Sequence, residues 1–444
     1  MNKREFEYAM KRGLGRCIPE LKENDDIEKF RDIVLKGCLN NYSYDTQCEG
    51  TRSEYMYVLQ SCYEDEYFAD KIIKKFCGRI SKPWLFDHLA NLLYFFAQDG
   101  SKKAYDAMIY KYNYIYERLR CNTGRDTWEQ FECLCVWLVT LEGFARFKKI
   151  ILDLADYYER QAKKQDDFVP YSLDWFWETC KEQCDENEID QFVKENDRKG
   201  FLIFLDSLSD FVCEGKKREK EKQKIPVPAL QELIEECSMQ GDTRIYLNIK
   251  NRFQFMHHAT EEQVMELAKI IVHSQNKDLQ GKLLYVFRKR VFPLDAGYLI
   301  EYAEDENTIL SEMALEVLGN IKDVRVKEYA YRLIREERNT EYALSMLFCN
   351  YDKADDSMIL KILRQQRVSY RDGVWHGVFS EALDWLEKNP DTPDEAVYFL
   401  YEHTLCSCCR ACLVQLMMDR GLMTEDIRRE CKYDSNSDIR EKVF

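Results

Sequence analysis

The amino-acid sequence predicts an all-α protein in which pairs of helices stack as an α-solenoid. Glycine and proline number only 17 and 8 in 444 residues, roughly half of their usual combined share. A sheet protein needs such turn residues at intervals of roughly ten positions, and this chain does not supply them. Hydrophobic residues make up 45% and charged residues 33% of the chain, which favours a large core and argues against disorder. A third observation, a helical repeat in the C-terminal half, predicts the stacking.

The N-terminal half, residues 1–213, is predicted to be helical but irregular. Its apolar residues recur with a helical period, which indicates amphipathic helices. We expect these helices to form irregular pairs that continue the same superhelix. The four clearest helices are expected over residues 84–97, 104–119, 127–147 and 149–163.

Tyrosines are dense in the second of these helices. We predict that they pack between helical layers. The alternative is a stacking platform for nucleic-acid bases, which requires basic residues interleaved with the aromatic ones. The tyrosines are Tyr105, Tyr110, Tyr112, Tyr114 and Tyr116, and the basic residues near them are Lys103, Lys111 and Arg118.

A charged segment separates the two halves at residues 214–227. It begins EGKKREKEKQK, with six basic and three acidic residues, and continues through Ile225-Pro226-Val227 to a second proline, Pro228, at the start of the C-terminal half. The prolines stop any helix, so we predict an exposed linker. A patch for nucleic acid or an anionic partner is the alternative, with Lys216, Lys217 and Arg218 as candidate binding residues.

The C-terminal half, residues 228–444, contains a repeat of about 30 residues. The segments 283–287 (LLYVF), 314–318 (ALEVL) and 343–347 (ALSML) superimpose with steps of 31 and 29 residues. A two-helix unit of this size cannot bury its apolar face alone, so neighbouring units must stack. The alignment predicts that Ala314, Leu318, Ala343 and Leu347 are buried.

Several helix ends in this half are marked by capping residues. Thr260 followed by Gln263, and Thr392 followed by Pro393 and Glu395, each match a capping box. Gly319-Asn320 is a predicted stop for the helix that contains Ala314.

The turn that follows this stop resembles that of HEAT-like repeats. Asp323-Val324-Arg325-Val326, after Leu318-Gly319-Asn320, is similar to the turn between the two helices and the start of the second one. Asp438-Ile439-Arg440 resembles a truncated copy. The resemblance covers roughly residues 228–444. It implies that the aspartate caps a helix and the arginine braces the next repeat, and it implies a HEAT-like α-α superhelix. It does not imply a function, because the family is mostly scaffolds with a few enzymes.

Charge and cysteine content predict a reduced cytoplasmic protein. The formal net charge is −15, which repels polyanions and disfavours nucleic acid as a general partner. The N-terminal residues show no apolar run, so we expect no secretory signal, and no stretch approaches the length of a membrane span. The 18 cysteines fall short of a disulfide scaffold and are expected to act as small buried hydrophobic residues.

The densest cysteine segment, His403–Cys412, contains four cysteines within ten residues. Zinc sites usually take two separated pairs of ligands, and a redox pair usually sits in a βαβ context. We therefore predict close helix packing, with no metal and no cofactor. A metal or redox site is the weaker alternative.

Known catalytic motifs are absent from the sequence. It has no His-Glu-x-x-His, phosphate-binding glycine loop, dinucleotide fingerprint or nucleophile elbow. Some HEAT-like solenoids are alkylpurine DNA glycosylases, which use tryptophan and an acidic residue in a basic channel. Trp175, Trp177 and Asp174 have the required residue types, although they align to no motif of that family.

These observations predict a non-enzymatic cytosolic scaffold that grips a protein partner on its concave face. Arg288, Lys289 and Arg290 form a compact basic triplet within the repeats and are candidate binding residues. As neighbours on one predicted helix they would point in different directions. The alternative function is DNA binding of the glycosylase type. A basic concave groove would favour DNA, whereas an acidic or mixed groove would favour protein.

Overall fold

A computed structural model describes residues 1–63, 66–120, 125–164, 171–208, 227–239, 250–365 and 373–443. Within these ranges the regular structure is helical throughout, with 27 α-helices and no strand. The predicted all-α class is therefore confirmed. The chain divides into two compact units. Unit 1 comprises Met1–Glu219, Cys406–Ala411 and Met423–Phe444, and unit 2 comprises Lys220–Leu405 and Cys412–Leu422.

Unit 1 contains thirteen described helices from the N-terminal part of the chain and two from its C-terminal end. The first group is α1 Lys3–Arg12, α2 Cys17–Glu23, α3 Arg31–Cys38, α4 Thr46–Glu49, α5 Ser53–Gln60, α6 Tyr67–Cys77, α7 Pro83–Gln98, α8 Lys102–Leu119, α9 Arg125–Glu142, α10 Phe144–Ala162, α11 Asp174–Gln183, α12 Glu186–Glu195 and α13 Lys199–Ser207. The second group is α26 Glu425–Cys431 and α27 Ser437–Lys442.

Unit 2 contains eleven described helices of its own, and a twelfth is shared between the two units. These are α14 Leu230–Met239, α15 Lys250–His258, α16 Glu261–His273, α17 Lys277–Leu284, α18 Ala296–Ala303, α19 Thr308–Leu318, α20 Val324–Arg335, α21 Thr340–Cys349, α22 Asp356–Gln365, α23 Gly373–Lys388 and α24 Asp394–His403. The shared helix is α25 Ser407–Asp419.

The prediction of one helix over residues 127–147 is wrong. The helix is interrupted at Gly143, which lies between the end of α9 and the start of α10. Gly143 has φ 66°, a left-handed conformation that side chains disfavour and glycine adopts freely. The apolar period continues through the break because both flanking helices bury residues in the same core.

The C-terminal segments of unit 1 pack against its first helices. Arg410 and Asp434 form a fully buried ion pair, with 2.8 Å from Nε to Oδ2 and 2.9 Å from Nη2 to Oδ1. Arg410 also donates to the carbonyl oxygen of Gly13 at 3.4 Å. Gly13 leaves no room for a side chain, since an added Cβ would lie 2.0 Å from the hydroxyl oxygen of Ser435. These contacts join residues that are almost 400 positions apart.

His88 on α7 is fully buried in unit 1, with 0% of its surface exposed. Neither ring nitrogen has a hydrogen-bond partner in the described part of the chain. Burial lowers the pKa of His88 to about 4, and the nearby backbone of Gly37 and Cys38 offsets this only in part. A buried imidazole without partners is neutral because burying its charged form is costly.

We expect unit 1 to lose stability as the pH falls from about 6.5 to about 4. The folded pKa lies below the unfolded value of about 6.5, so the unfolded chain binds the proton more readily in this window and acid favours unfolding. Urea unfolding at several pH values should show that the free energy of unfolding falls across this window. In His88→Leu this fall should be smaller by up to about 3 kcal/mol. The control His273→Leu, at an exposed histidine, should leave the slope unchanged. An identical pH dependence in wild type and His88→Leu would refute the assignment.

The burial predicted for four aligned residues is confirmed in unit 2. Ala314, Leu318, Ala343 and Leu347 are all 0% exposed. The helix that contains Ala314 is apolar on several sides, as expected for a helix surrounded by others. It ends at Leu318, where the sequence placed its stop.

One of the two predicted capping boxes forms. Thr260 accepts from the backbone of Gln263, whose side chain in turn accepts from the backbone of Thr260. The second box is wrong, because α24 begins one residue later than predicted and Pro393 takes the cap position. Thr392 instead donates its hydroxyl to the carbonyl oxygen of Asn389 at 2.8 Å.

Helices two apart in the chain pack side by side in unit 2. Helix α17 packs on α19, α19 on α21, and α21 on α23. Each of α16, α18 and α20 packs on the helix that follows it. The row formed by α17, α19, α21 and α23 lines an open cleft.

The predicted domain boundaries were 1–213, 214–227 and 228–444. The charged segment 214–226 lies outside the described residues, and so do Lys216, Lys217 and Arg218. The structure groups Met423–Phe444 with unit 1 rather than with unit 2. In this segment Arg440 donates to Glu54 at 2.7 Å and to the carbonyl oxygen of Asp434 at 2.8 Å. The helix cap there is Asn436 and not Asp438.

Candidate binding cleft

An open cleft of about 310 Å³ lies in unit 2 on the row of helices α17, α19, α21 and α23. Its cationic side chains are Arg288 and Lys289, at the end of the 3-10 turn Tyr285–Arg288 that follows α17. Three carboxylates line the same cleft. They are Glu316 on α19, Glu341 on α21 and Glu381 on α23.

The backbone near Gly319 brings the walls of the cleft together. A Cβ added at Gly319 would lie 3.0 Å from the Cβ of Ser345 on α21, so the absence of a side chain permits this close approach. The next residue, Asn320, donates its side-chain amide to the carbonyl oxygen of Arg288 at 2.7 Å. This bond ties the 3-10 turn to the end of α19.

Arg288 is held in place by neighbours on two sides. Its guanidinium forms an ion pair with Glu316 and lies 5.2 Å from the ring centroid of Tyr285. Burial raises the pKa of Glu316, and the positive charge of Arg288 opposes this increase. Lys289 is exposed.

Glu381 has an unusual environment for an exposed residue. It is accessible to solvent, yet the cleft walls exclude part of the surrounding water, and this desolvation raises its pKa. The nearby hydroxyl of Ser345 and the positive charge of Lys289 oppose the increase. The Ser345 hydroxyl also donates to the carbonyl oxygen of Glu341 at 3.3 Å. Ser345 thus lies beside both carboxylate-bearing residues.

The basic triplet predicted from the sequence is split by the structure. Arg288 and Lys289 line the cleft. Arg290 instead donates to the carbonyl oxygens of Met256 at 2.6 Å and Ala259 at 2.7 Å. It thereby caps the C-terminal end of α15, where unpaired carbonyls favour a cation. Arg290 has a structural role.

The aligned segments mark the position of one of the carboxylates, Glu316, in the sequence. Tyr285, Glu316 and Ser345 occupy the central position of the three aligned segments. The structure places Glu316 and Ser345 in the cleft and Tyr285 against Arg288. A position that recurs on stacked helices lies on one side of the stack, so a polar residue there indicates an accessible face.

The tyrosines of α8 divide between packing and exposure. Tyr112 is buried, which confirms the packing prediction at that position, and Lys111 is buried with its ammonium group 2.7 Å from the carbonyl oxygen of Gly78. Tyr110 and Tyr114 are 56% and 46% exposed. Buried Lys111 cannot contact a nucleic-acid backbone, which removes one basic residue from the stacking alternative.

The residues considered for a glycosylase site lie in unit 1. Trp177 is buried and packs on Phe147 and Phe204, with ring centroids 5.9 and 5.7 Å apart. Trp175 is 47% exposed, and Asp174 accepts a hydrogen bond from the hydroxyl of Ser172 at 2.7 Å. The predicted packing role is confirmed for Trp177 and not for Trp175.

A nearby carboxylate, Glu132 on α9, was missed by the sequence reasoning. It accepts a hydrogen bond from the backbone of Phe176 at 3.1 Å. Burial raises its pKa to about 7, against the effect of backbone hydrogen bonds from the start of α11. No local pattern marks Glu132, because its burial depends on a helix more than 40 residues away.

The cysteine-rich segment lies at the start of α25. Cys406 is buried, and the thiol of Cys408 lies 3.9 Å from the carbonyl oxygen of Cys48. Burial raises the pKa of Cys408 to about 11, so this thiol is protonated and unreactive at neutral pH. These contacts agree with close packing in unit 1. The expected absence of metal stays a prediction.

Comparisons with known proteins add no family. No protein-family model matches the chain, and no curated protein matches it. Among solved structures, the crystal structure of an engineered protein is 11% identical, covers 100% of this chain and 97% of that chain, and has a TM-score of 0.20. A likeness this weak carries no argument about fold or function.

Within the described ranges, no helix combines the length and the hydrophobicity that a membrane-spanning segment requires.

Proposed function

We propose that the protein is a non-enzymatic cytosolic scaffold with a HEAT-like α-solenoid in its C-terminal half. It binds a protein partner through the cleft on α17, α19, α21 and α23. The proposal depends chiefly on one observation, the mixed charge of that cleft. Two cations and three carboxylates line it, a pattern that suits a polypeptide with both polar and charged groups.

Polar contacts with the spacing of the repeat support the solenoid. Arg325 donates to Asp295 at 3.0 and 2.9 Å and to Asp323 at 2.7 Å. Asp295 caps α18 and Asp323 caps α20, so Arg325 joins the starts of two helices one repeat apart. This is the arrangement that the HEAT resemblance implies.

A second set of contacts has the same spacing. Asn350 donates to the carbonyl oxygen of Ile321 at 2.8 Å, and Lys327 pairs with Asp355 at 2.8 Å. Each partner lies 28 or 29 residues along the chain. Contacts of one constant separation are typical of stacked repeats, because each repeat touches only its neighbours.

DNA binding is the second candidate, and the adjacent Arg288 and Lys289 favour it. The surrounding carboxylates argue against it, because Glu316 already neutralises Arg288 and negative charges repel phosphates. Arg290 adds no free cation, since its guanidinium is bound to backbone carbonyls. Affinity for duplex DNA depends on how many phosphates are neutralised, and this cleft neutralises few.

We therefore expect duplex DNA to bind no more tightly than about 10⁻⁴ to 10⁻⁶ M at physiological salt, the range of non-specific binding. Fluorescence anisotropy with a labelled duplex at two salt concentrations measures this. Nanomolar binding with a steep salt dependence, lost in Arg288→Glu and Lys289→Glu, would contradict the scaffold and support the DNA-binding alternative.

A direct test of the scaffold uses a random peptide library displayed on phage and selected against the full chain. We expect some selected peptides to lose at least tenfold in affinity on Lys289→Glu, an exposed change at the cleft. Lys361→Glu, at an exposed lysine on α22 of the same unit, is the matched control and should have no effect. Peptides that bind both variants equally would place recognition outside the cleft and overturn the proposal.

A further inference from the structure

Two cysteine thiols of unit 1 lie close together at the start of α25. The Sγ atoms of Cys406 and Cys409 are within 4.8 Å of each other, and both residues belong to unit 1. Their spacing, Cys-x-x-Cys, is the one found in many reversible disulfides of redox-active proteins. The spacing and the proximity of the two sulfurs both indicate that these atoms can form a bond.

The position of Cys406 at the helix start favours this pair over the next one. Helix α25 begins at Ser407, and the carbonyl oxygen of Cys406 accepts a hydrogen bond from the amide of Arg410 at 3.1 Å. Cys406 is therefore the cap residue, whose backbone need not be helical. Residues three apart within a helix have Cβ atoms about 5–6 Å apart, whereas a disulfide needs about 3.5–4.5 Å. Cys409 and Cys412 both lie inside the helix, so a bond between them would distort it.

Contacts on either side hold this turn in place within unit 1. The amide of Ser407 donates to the carboxylate of Glu49 at 3.2 Å, and the buried pair of Arg410 and Asp434 follows directly after Cys409. A turn that is fixed in this way presents the same two sulfurs to each other in every folded molecule. The folded chain should therefore favour one pairing among its neighbouring cysteines.

Exposure and protonation distinguish the roles of the three thiols in this turn. Cys406 is buried and Cys409 is partly exposed, so an oxidant reaches Cys409 first. Cys408 lies between them, and burial raises its pKa to about 11. Because the thiolate is the reactive form of cysteine, Cys408 is not the attacking group. Cys406 is then the nearby thiol that completes the reaction.

We propose that Cys406 and Cys409 form a reversible disulfide in response to hydrogen peroxide. The thiolate of Cys409 attacks one peroxide oxygen, the O–O bond breaks, and a sulfenic acid forms while the other oxygen leaves as hydroxide. The thiol of Cys406 then attacks the sulfur of Cys409. The S–O bond breaks, and the leaving hydroxide takes the thiol proton to form water. The two sulfurs lose two electrons, which the peroxide accepts, and this chemistry does not depend on the proposed function.

The reaction needs no βαβ unit, although redox pairs usually occur in one. It needs an accessible thiol and a second thiol within reach, and the start of α25 supplies both. In a reducing compartment a disulfide of this kind is transient and acts as a sensor. The pair is therefore a candidate site of reversible oxidation.

Peptide mass analysis of the full chain tests the pairing. Trypsin releases peptides 389–410 and 411–420, of which the first contains the three cysteines of the turn and the second contains Cys412. The folded chain is treated with hydrogen peroxide, unfolded, alkylated at its remaining thiols and digested. We expect peptide 389–410 to lack two hydrogen atoms and to carry one alkyl group. Dithiothreitol added before alkylation should restore three alkyl groups.

Single variants and an unfolded control identify the bonded sulfurs. Cys408→Ser and Cys412→Ser should keep the internal disulfide, and Cys409→Ser should abolish it. Oxidation of the chain in urea should instead give a mixture of pairings that includes a link between the two peptides. Three alkylated cysteines in the oxidised wild-type peptide, a link to peptide 411–420 in the folded chain, or loss of the disulfide in Cys408→Ser would each overturn the proposal. The first two outcomes are read on the wild-type chain and do not depend on the folding of a variant.

Discussion

Asp434→Asn is expected to destabilise unit 1 by about 3–5 kcal/mol, the cost of removing one partner of a buried ion pair. The guanidinium of Arg410 would keep its charge in a site where both side chains are 0% exposed. An asparagine supplies no compensating negative charge. Urea unfolding followed by circular dichroism, with hydrogen exchange of the amides in α1 and α2, would measure the loss and show that it lies in this unit.

An exposed ion pair in the same unit provides the control. Arg429 and Glu23 also join the C-terminal segment to the N-terminal helices, but their side chains are 51% and 60% exposed. Glu23→Gln should therefore change stability by less than about 1 kcal/mol. The double variant Arg410→Met with Asp434→Leu should recover much of the loss, because replacing both charges by apolar groups removes the unpaired charge. Equal effects of Asp434→Asn and Glu23→Gln would disprove the role assigned to the buried pair.

Ala314→Glu is expected to destabilise unit 2 by several kcal/mol, that is about 3 kcal/mol or more. Ala314 is 0% exposed on α19, which packs on α17, α18 and α21. A glutamate there would both overfill the contact and bury a carboxylate without a partner. The midpoint of urea unfolding is the measurement.

Ala354→Glu is the matched control for this substitution. Ala354 lies in the 3-10 turn Lys353–Asp355 of the same unit and is exposed, so the added charge stays in water. We expect a change within about 0.5 kcal/mol, as for other surface substitutions. A mild effect of Ala314→Glu would show that the register of α19 against its neighbours is wrong.

Much of unit 2 was predictable because its regular features are local. Val264, Leu267, Ala268 and Ile271 have the spacing of one helical face, and all four are buried in α16. The Thr260 cap formed because it needs only a residue three positions away. The capping box predicted at Thr392 did not form, and the reason is also local. Pro393 occupies the cap position, and the hydroxyl of Thr392 donates to the carbonyl oxygen of Asn389.

The cleft was predictable only in part. The sequence identified Arg288 and Lys289 by their charge, but the same criterion included Arg290, which caps α15 instead. Charge alone does not distinguish a cation that faces a cleft from one that faces helix carbonyls. The carboxylates come from three different helices, and the sequence does not state how closely those helices approach at Gly319 and Ser345.

By itself, the sequence determined the helical class, the repeat of about 30 residues and the burial of Ala314 and Ala343. These features follow from the spacing of apolar residues, which is a local pattern within one or two helices. Only the tertiary structure decided that Glu381 joins Glu316 in one cleft and that Arg440 reaches Glu54, 386 residues away. Such contacts depend on which distant helices bury each other's apolar faces, and the free energy of that packing is shared among many residues.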